Sequence, residues 1–126
     1  MKQIISTEKA PKAIGPYSQA VKANGFVFTS GQLPINPATG AFREGGIAEQ
    51  TAQVLENVRA VLQAAGTDMQ YVVKMTVFLK DINDFKAFNE VYATFFPENP
   101  PARSEFQVAA LPLNAMIEIE AVAVAL

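Results

Sequence analysis

The stretch AMIEIEAVAVAL, residues 115–126, reads as a strand that is apolar on both faces. Ile117, Ile119, Ala121 and Ala123 fall on one side, and Met116, Val122 and Val124 on the other, together with Glu118 and Glu120. Such a strand expects cover on both faces. Working back along the chain, only two stretches carry helical periodicity. Ile47, Thr51, Val54, Leu55, Val58, Val61, Leu62 and Ala65 make the first, with Gly66 placed to end it. Phe85, Phe88, Tyr92 and Phe95 make the second, with Asp81 or Asn83 as its cap and Pro97 as its stop.

The remaining apolar stretches read as strands. Residues 2–6 form a short edge strand, and YSQAVK (17–22) and FVFTSG (26–31) pair through the Asn24-Gly25 turn. YVVKMTVFLK (71–80) follows the first helix with Val73, Met75, Val77 and Leu79 on one face, and residues 103–109 open on Arg103 as what reads as a buried strand. The order β-β-β-α-β-α-β-β gives a single α+β domain over 1–126. Right-handed crossovers put both helices on one face of one mixed sheet. Two helices on one face leave the other face of residues 115–126 uncovered, which predicts association with further subunits.

Composition narrows the chemistry. The chain has 126 residues, half of them apolar, with neither cysteine nor histidine, so thiolate nucleophiles, disulfides, His-paired nucleophiles and His general bases are excluded. Ten basic and twelve acidic residues give a net charge of −2 without a basic cluster, which argues against nucleic acid as a partner. MKQIISTEKAPKA lacks the apolar core of a signal peptide, and no apolar run is long enough for a membrane span. The expectation is a soluble cytoplasmic protein without metal.

The residues able to do chemistry are few. Glu118 and Glu120, about 7 Å apart on one strand face, are either a solvated pair or a general base with a raised pKa in an apolar setting. Arg103, braced by Pro100 and Pro101, either pairs with Glu105 or Glu118 or grips a substrate carboxylate or phosphate with its fork of donors. Tyr17 follows Gly15-Pro16 at a strand start. Ser30 ends a strand against Gly31, where a ligand could approach the backbone, and Asn89 sits mid-helix, either with a partner for its amide or simply exposed. The Gly45-Gly46 pair lacks the spacing of a phosphate loop, and the aromatic run of the second helix reads as core.

IGPYSQAV, FTSGQLP, AEQTAQVLENVRAVLQAAG, VVKMTVFLKD, FNEVYATFF and above all PARSEFQVAALPLNAMIEIEA together resemble the YjgF/YER057c/UK114 family, also called the RidA family, nearly end to end. The resemblance implies a chorismate-mutase-like fold and a homotrimer with the uncovered sheet faces buried centrally and ligand clefts between subunits. It also implies cofactor-independent hydrolysis of reactive 2-imino acids (2-iminobutanoate, 2-iminopropanoate) to 2-oxo acids and ammonia, as metabolite damage control. By the same resemblance Arg103 holds the substrate carboxylate, Glu118 orients the attacking water, and Tyr17, Ser30, Gly31 and Asn89 line the same cleft. Many active family members carry cysteine where this chain has Glu105, a position that contributes main-chain contacts to ligand. A carboxylate there repels substrate or competes for Arg103, which keeps open an alternative: a carboxylate-binding or regulatory trimer without turnover. Ribonuclease behaviour, reported in the family, fits poorly with a histidine-free acidic chain.

Overall fold

The computed structural model describes residues 1–126. Six strands, β1 (Gln3–Ile5), β2 (Ala20–Ala23), β3 (Phe26–Thr29), β4 (Val72–Leu79), β5 (Ala102–Gln107) and β6 (Ile117–Val124), form one sheet in the order β1-β2-β3-β6-β4-β5. Only β4 and β5 run parallel, joined by the right-handed crossover through α2 (Phe85–Phe95). The expected mixed α+β sheet is therefore present, with β6 at its centre between β3 and β4.

Both helices pack on one face. α1 (Ile47–Ala64) buries Val54, Leu55, Val58, Val61 and Leu62 completely, each burial stabilising by about 1.5–3 kcal/mol. Glu49 reaches back to accept a hydrogen bond from Gly46 N–H at 2.9 Å, which fixes the helix start. At the other end Thr67 N–H bonds to Leu62 C=O and Gly66 N–H to Gln63 C=O, with Gly66 at φ +85°. Glycine supplies that left-handed stop without a Cβ clash. The Asn24-Gly25 turn, both residues at positive φ, closes the β2–β3 hairpin as expected.

Four local expectations fail. Val73 lies on the exposed side of β4, because a bulge between Val72 and Lys74 inserts one residue, and Val72 takes its place in the core. Tyr17 and Ser18 precede β2, which starts only at Ala20. The Asp81 carboxylate caps a 3-10 turn (Ile82–Asp84) by accepting from Asn83 N–H at 2.9 Å, and α2 continues from that turn. Finally, β5 is the edge strand of the sheet rather than a buried one. Its residues Arg103 and Glu105 pair with Met75 and Val77 and so face α2, while Phe106 points to the far side and is 44% exposed.

That far face carries no helix. Phe26, Phe28 and Val124 are exposed on it, and Phe106 stacks edge-on against Phe78 with ring centres 5.3 Å apart. No helix is long and apolar enough to cross a membrane.

Candidate active site

The candidate residues fall into two groups, one on each face of the sheet. The first lines a cleft of about 730 Å³ on the far face and includes Tyr17, Ser30, Gly31, Glu118 and Glu120. Its floor is β6, where alternation turns Glu118 and Glu120 away from the core residues Ile117 and Ile119. Ser30 anchors the rim: its Oγ donates to Ser18 C=O at 2.6 Å and its N–H to Gln19 C=O at 2.9 Å. Tyr17 is half exposed, and its Oη accepts weakly from Ile14 N–H at 3.4 Å.

Glu118 lies directly over Gly31. A Cβ at Gly31 would meet Glu118 Oε2 at 2.5 Å, so the glycine is what lets the carboxylate lie against the backbone. Burial pushes the Glu118 carboxyl above the usual carboxylate range, and the neighbouring Glu120 charge adds to the effect. Gly31→Ala is therefore expected to swing Glu118 out of place and to lower any activity that uses this carboxylate by about tenfold or more, with the melting temperature nearly unchanged because only a flexible side chain must give. Parallel activity and melting measurements check this.

The second group sits on the helix face at the sheet edge. Arg103 Nη1 donates to Asn89 Oδ1 at 2.9 Å, and Nη2 stands 3.4 Å from Glu105 Oε1. The guanidinium also lies 4.8 Å from the Tyr92 ring centre, 5.5 Å from Phe88 and 5.7 Å from Phe85. Three rings, an amide and a carboxylate thus hold one cation that remains 24% exposed. Asn89, unfavourable mid-helix by propensity, has found its partner. The aromatic run of α2, read as core, is also the wall of the arginine site.

Glu105 is the unusual member. Its side chain is only 3% exposed, and neither carboxylate oxygen has a hydrogen-bond partner. Burial raises its pKa and Arg103 pulls it back in part. The Tyr92 hydroxyl, also buried without a partner, is pushed up to about 12 by burial, with Arg103 opposing and Glu105 adding to the rise.

An Arg103–Glu118 ion pair is ruled out within one chain, since the two side chains project from opposite faces of the sheet. Nor do Asn89 and Arg103 share a cleft with Tyr17, Ser30 and Gly31 in a single protomer.

Two supporting residues escaped the sequence reading. Gln19 Oε1 accepts from Thr7 N–H at 2.7 Å, and its Nε2 donates to Pro11 C=O at 2.8 Å, tying down the loop that leads to Tyr17. Asn57 on α1 donates to Leu33 C=O at 3.0 Å and Ile35 C=O at 2.9 Å, fixing the loop after Gly31. A buried amide on the apolar face of a helix was the available signal for Asn57. No cluster of three acidic side chains is close enough to hold a metal ion.

Fold and site define an α+β protein built on one mixed six-stranded sheet with two helices. Residues 7–125 match the model of the family described as Endoribonuclease L-PSP, and the chain belongs to that family, the one it resembles in sequence. A RutC family protein of Pyrococcus horikoshii is 56% identical over 123 residues, covering 98% of each chain. The 2-iminobutanoate/2-iminopropanoate deaminase of Homo sapiens is 52% identical over 98% of this chain and 90% of its own. The crystal structure of E. coli TdcF with bound serine matches with a TM-score of 0.93 and 48% identity, covering 97% of this chain and 98% of that one.

Proposed function

We infer that this protein is a 2-iminobutanoate/2-iminopropanoate deaminase that hydrolyses reactive imines and enamines to 2-oxo acids and ammonia in metabolite damage control. The identity with deaminases across nearly the whole chain carries this reading. The site's chemistry is suited to it. Water adds to C2 of the imine while the nitrogen takes up a proton, giving a carbinolamine. Its hydroxyl then loses a proton to become the carbonyl oxygen, a second proton reaches nitrogen, and the C–N bond breaks to release ammonia. The reaction needs an oriented electrophile and a water with a base beside it, and no enzyme nucleophile. Arg103 is the carboxylate anchor in this reading, because its fork is preset by Asn89 and three rings. Glu118, with its carboxyl raised by burial, takes the proton from water and returns it to the leaving nitrogen. Tyr17, Ser30 and Gly31 shape the cleft around it.

The assembly belongs to the same proposal. Arg103 and Glu118 cannot meet on one small ligand across their own sheet, so the working site combines Arg103 of one subunit with Glu118 of its neighbour. A homotrimer built on the exposed Phe26, Phe28 and Val124 face provides such junctions and covers the apolar surface. A cytoplasmic location, close to the dehydratases that release imines, completes the picture.

The test couples threonine dehydratase to the purified protein with semicarbazide present as an imine trap. Faster 2-oxobutanoate release at the expense of semicarbazone is the expected result, and an unchanged product ratio at high protein concentration sinks the reading. The Glu105–Arg103 contact favours one alternative, a trimer that binds carboxylate metabolites without turnover, for which binding would persist without competition against the trap. The ribonuclease of the family's description finds no histidine and no net positive charge here.

A further inference from the structure

We propose that Glu105 is the internal counter-ion of Arg103: it holds the guanidinium while the site is empty and yields it, taking up a proton from solvent, when a substrate carboxylate binds. The inference rests on Arg103 being the carboxylate anchor. Glu105 stands 3.4 Å from Arg103 Nη2, is 3% exposed, and has no hydrogen-bond donor on either oxygen. A buried carboxylate without donors depends almost wholly on its one cation.

The surroundings leave it no other. Arg103 comes from its own strand, and β4 offers apolar Met75 and Val77 beside it. α2 offers the neutral Asn89 amide, already committed to Arg103, and the Tyr92 hydroxyl, which stays protonated because burial pushes it up to about 12. Glu118 and Glu120 are across the sheet. An anionic ligand at Arg103 therefore competes with Glu105 for a single positive charge. Burial already biases Glu105 toward its protonated form, so the proton is the natural replacement when the guanidinium is shared. Glu105 has its buried side chain against the guanidinium and acts through it, which makes it a positioning residue.

Linkage fixes the sign. Below the raised Glu105 pKa the carboxyl is neutral and ligand meets an unopposed Arg103; above it ligand must displace an ion pair. Affinity for a carboxylate ligand falls as pH rises through that range. Glu105→Gln keeps an acceptor for Arg103 and removes the charge, so it separates positioning from competition.

Calorimetric titration of the intact protein with 2-oxobutanoate, from pH 5 to 8 and in buffers of differing ionisation enthalpy, tests this. Wild type is expected to lose about five- to tenfold in affinity over the range, with net proton uptake on binding. Glu105→Gln is expected to hold the tighter value throughout, without proton uptake. If Arg103→Ala loses binding but Glu105→Gln keeps the wild-type pH profile, or weakens equally at every pH, the counter-ion inference fails while the anchor survives. If Arg103→Ala binds like wild type, both fail. Should Glu105→Gln not fold, the carboxyl carbon resonance of Glu105 in wild type serves instead. Its titration midpoint is expected to rise on saturation with 2-oxobutanoate, and an unmoved midpoint contradicts the inference.

Discussion

Arg103→Ala is expected to lower kcat/KM for 2-iminobutanoate by roughly 100-fold, within the 2–5 kcal/mol that truncating one partner of a hydrogen-bonded charge pair costs. The loss should fall mainly on KM if the guanidinium binds ground and transition states alike. Asn89 and the rings of Phe85, Phe88 and Tyr92 hold that group before substrate arrives, so little ordering remains to be done on binding. Arg103→Lys keeps the charge and loses the fork, and is expected to fall between the two. Melting curves separate this from damage to the fold. Removing the cation leaves Glu105 buried alone, which protonation relieves, so Arg103→Ala should stay folded. Steady-state kinetics with unchanged KM and kcat in Arg103→Ala would remove it from the site.

Glu118→Gln is expected to lower kcat by about 100-fold or more, the usual contribution of a positioned proton-transfer group. The pH dependence has a definite sign. A base must be ionised, so wild-type kcat should fall as pH drops through the Glu118 pKa, which burial and Glu120 place above the ordinary carboxylate range. Glu120→Gln removes the second of those causes and should move the acid limb to lower pH. Stability runs the other way. A carboxyl whose folded pKa is raised contributes stability below its unfolded pKa and loses it as pH rises through the folded pKa. Glu118→Gln should therefore melt higher than wild type at pH 8, with the gap closing toward pH 4. A variant that melts lower at pH 8 would mean that the Glu118 charge is paired in the assembled protein and does not act as a desolvated base.

How far the sequence could be read depended on where hydrophobic alternation was intact. In β6, Ile117, Ile119, Ala121 and Ala123 fixed the core face, and Asn24-Gly25 fixed the hairpin, so the architecture followed. In β5 the alternation is inverted. Glu105 is buried and Phe106 exposed, the reverse of what polarity dictates, because β5 is an edge strand whose inner face holds the arginine site. A local rule broken in this way is where function is expected to sit. The same inversion hid the placement of Arg103 relative to Glu118: polarity puts Phe106 inward and Arg103 and Glu105 outward, the opposite of the faces they take. The bulge at Val73 left no sequence mark, since Val72 and Val73 serve either register equally well. Glu118, Gly31 and Ser30 were legible as candidates, but their closeness depends on a bridge between Gln32 and Ile119, a long-range pairing that no local pattern encodes.

In the proposed assembly the site joins Arg103 of one subunit to Glu118 of another. Mixing subunits of Arg103→Ala with subunits of Glu118→Gln, after reversible dissociation, tests it directly in the dehydratase-coupled assay. Each variant alone is expected to be nearly inactive. In a ring with sites at every junction, a random equal mixture restores both native residues at about one junction in four, so about a quarter of wild-type activity should return. Activity that stays at the level of the separate variants, with mixed assembly verified by mass, would place the two residues in unrelated sites and rule out a shared one.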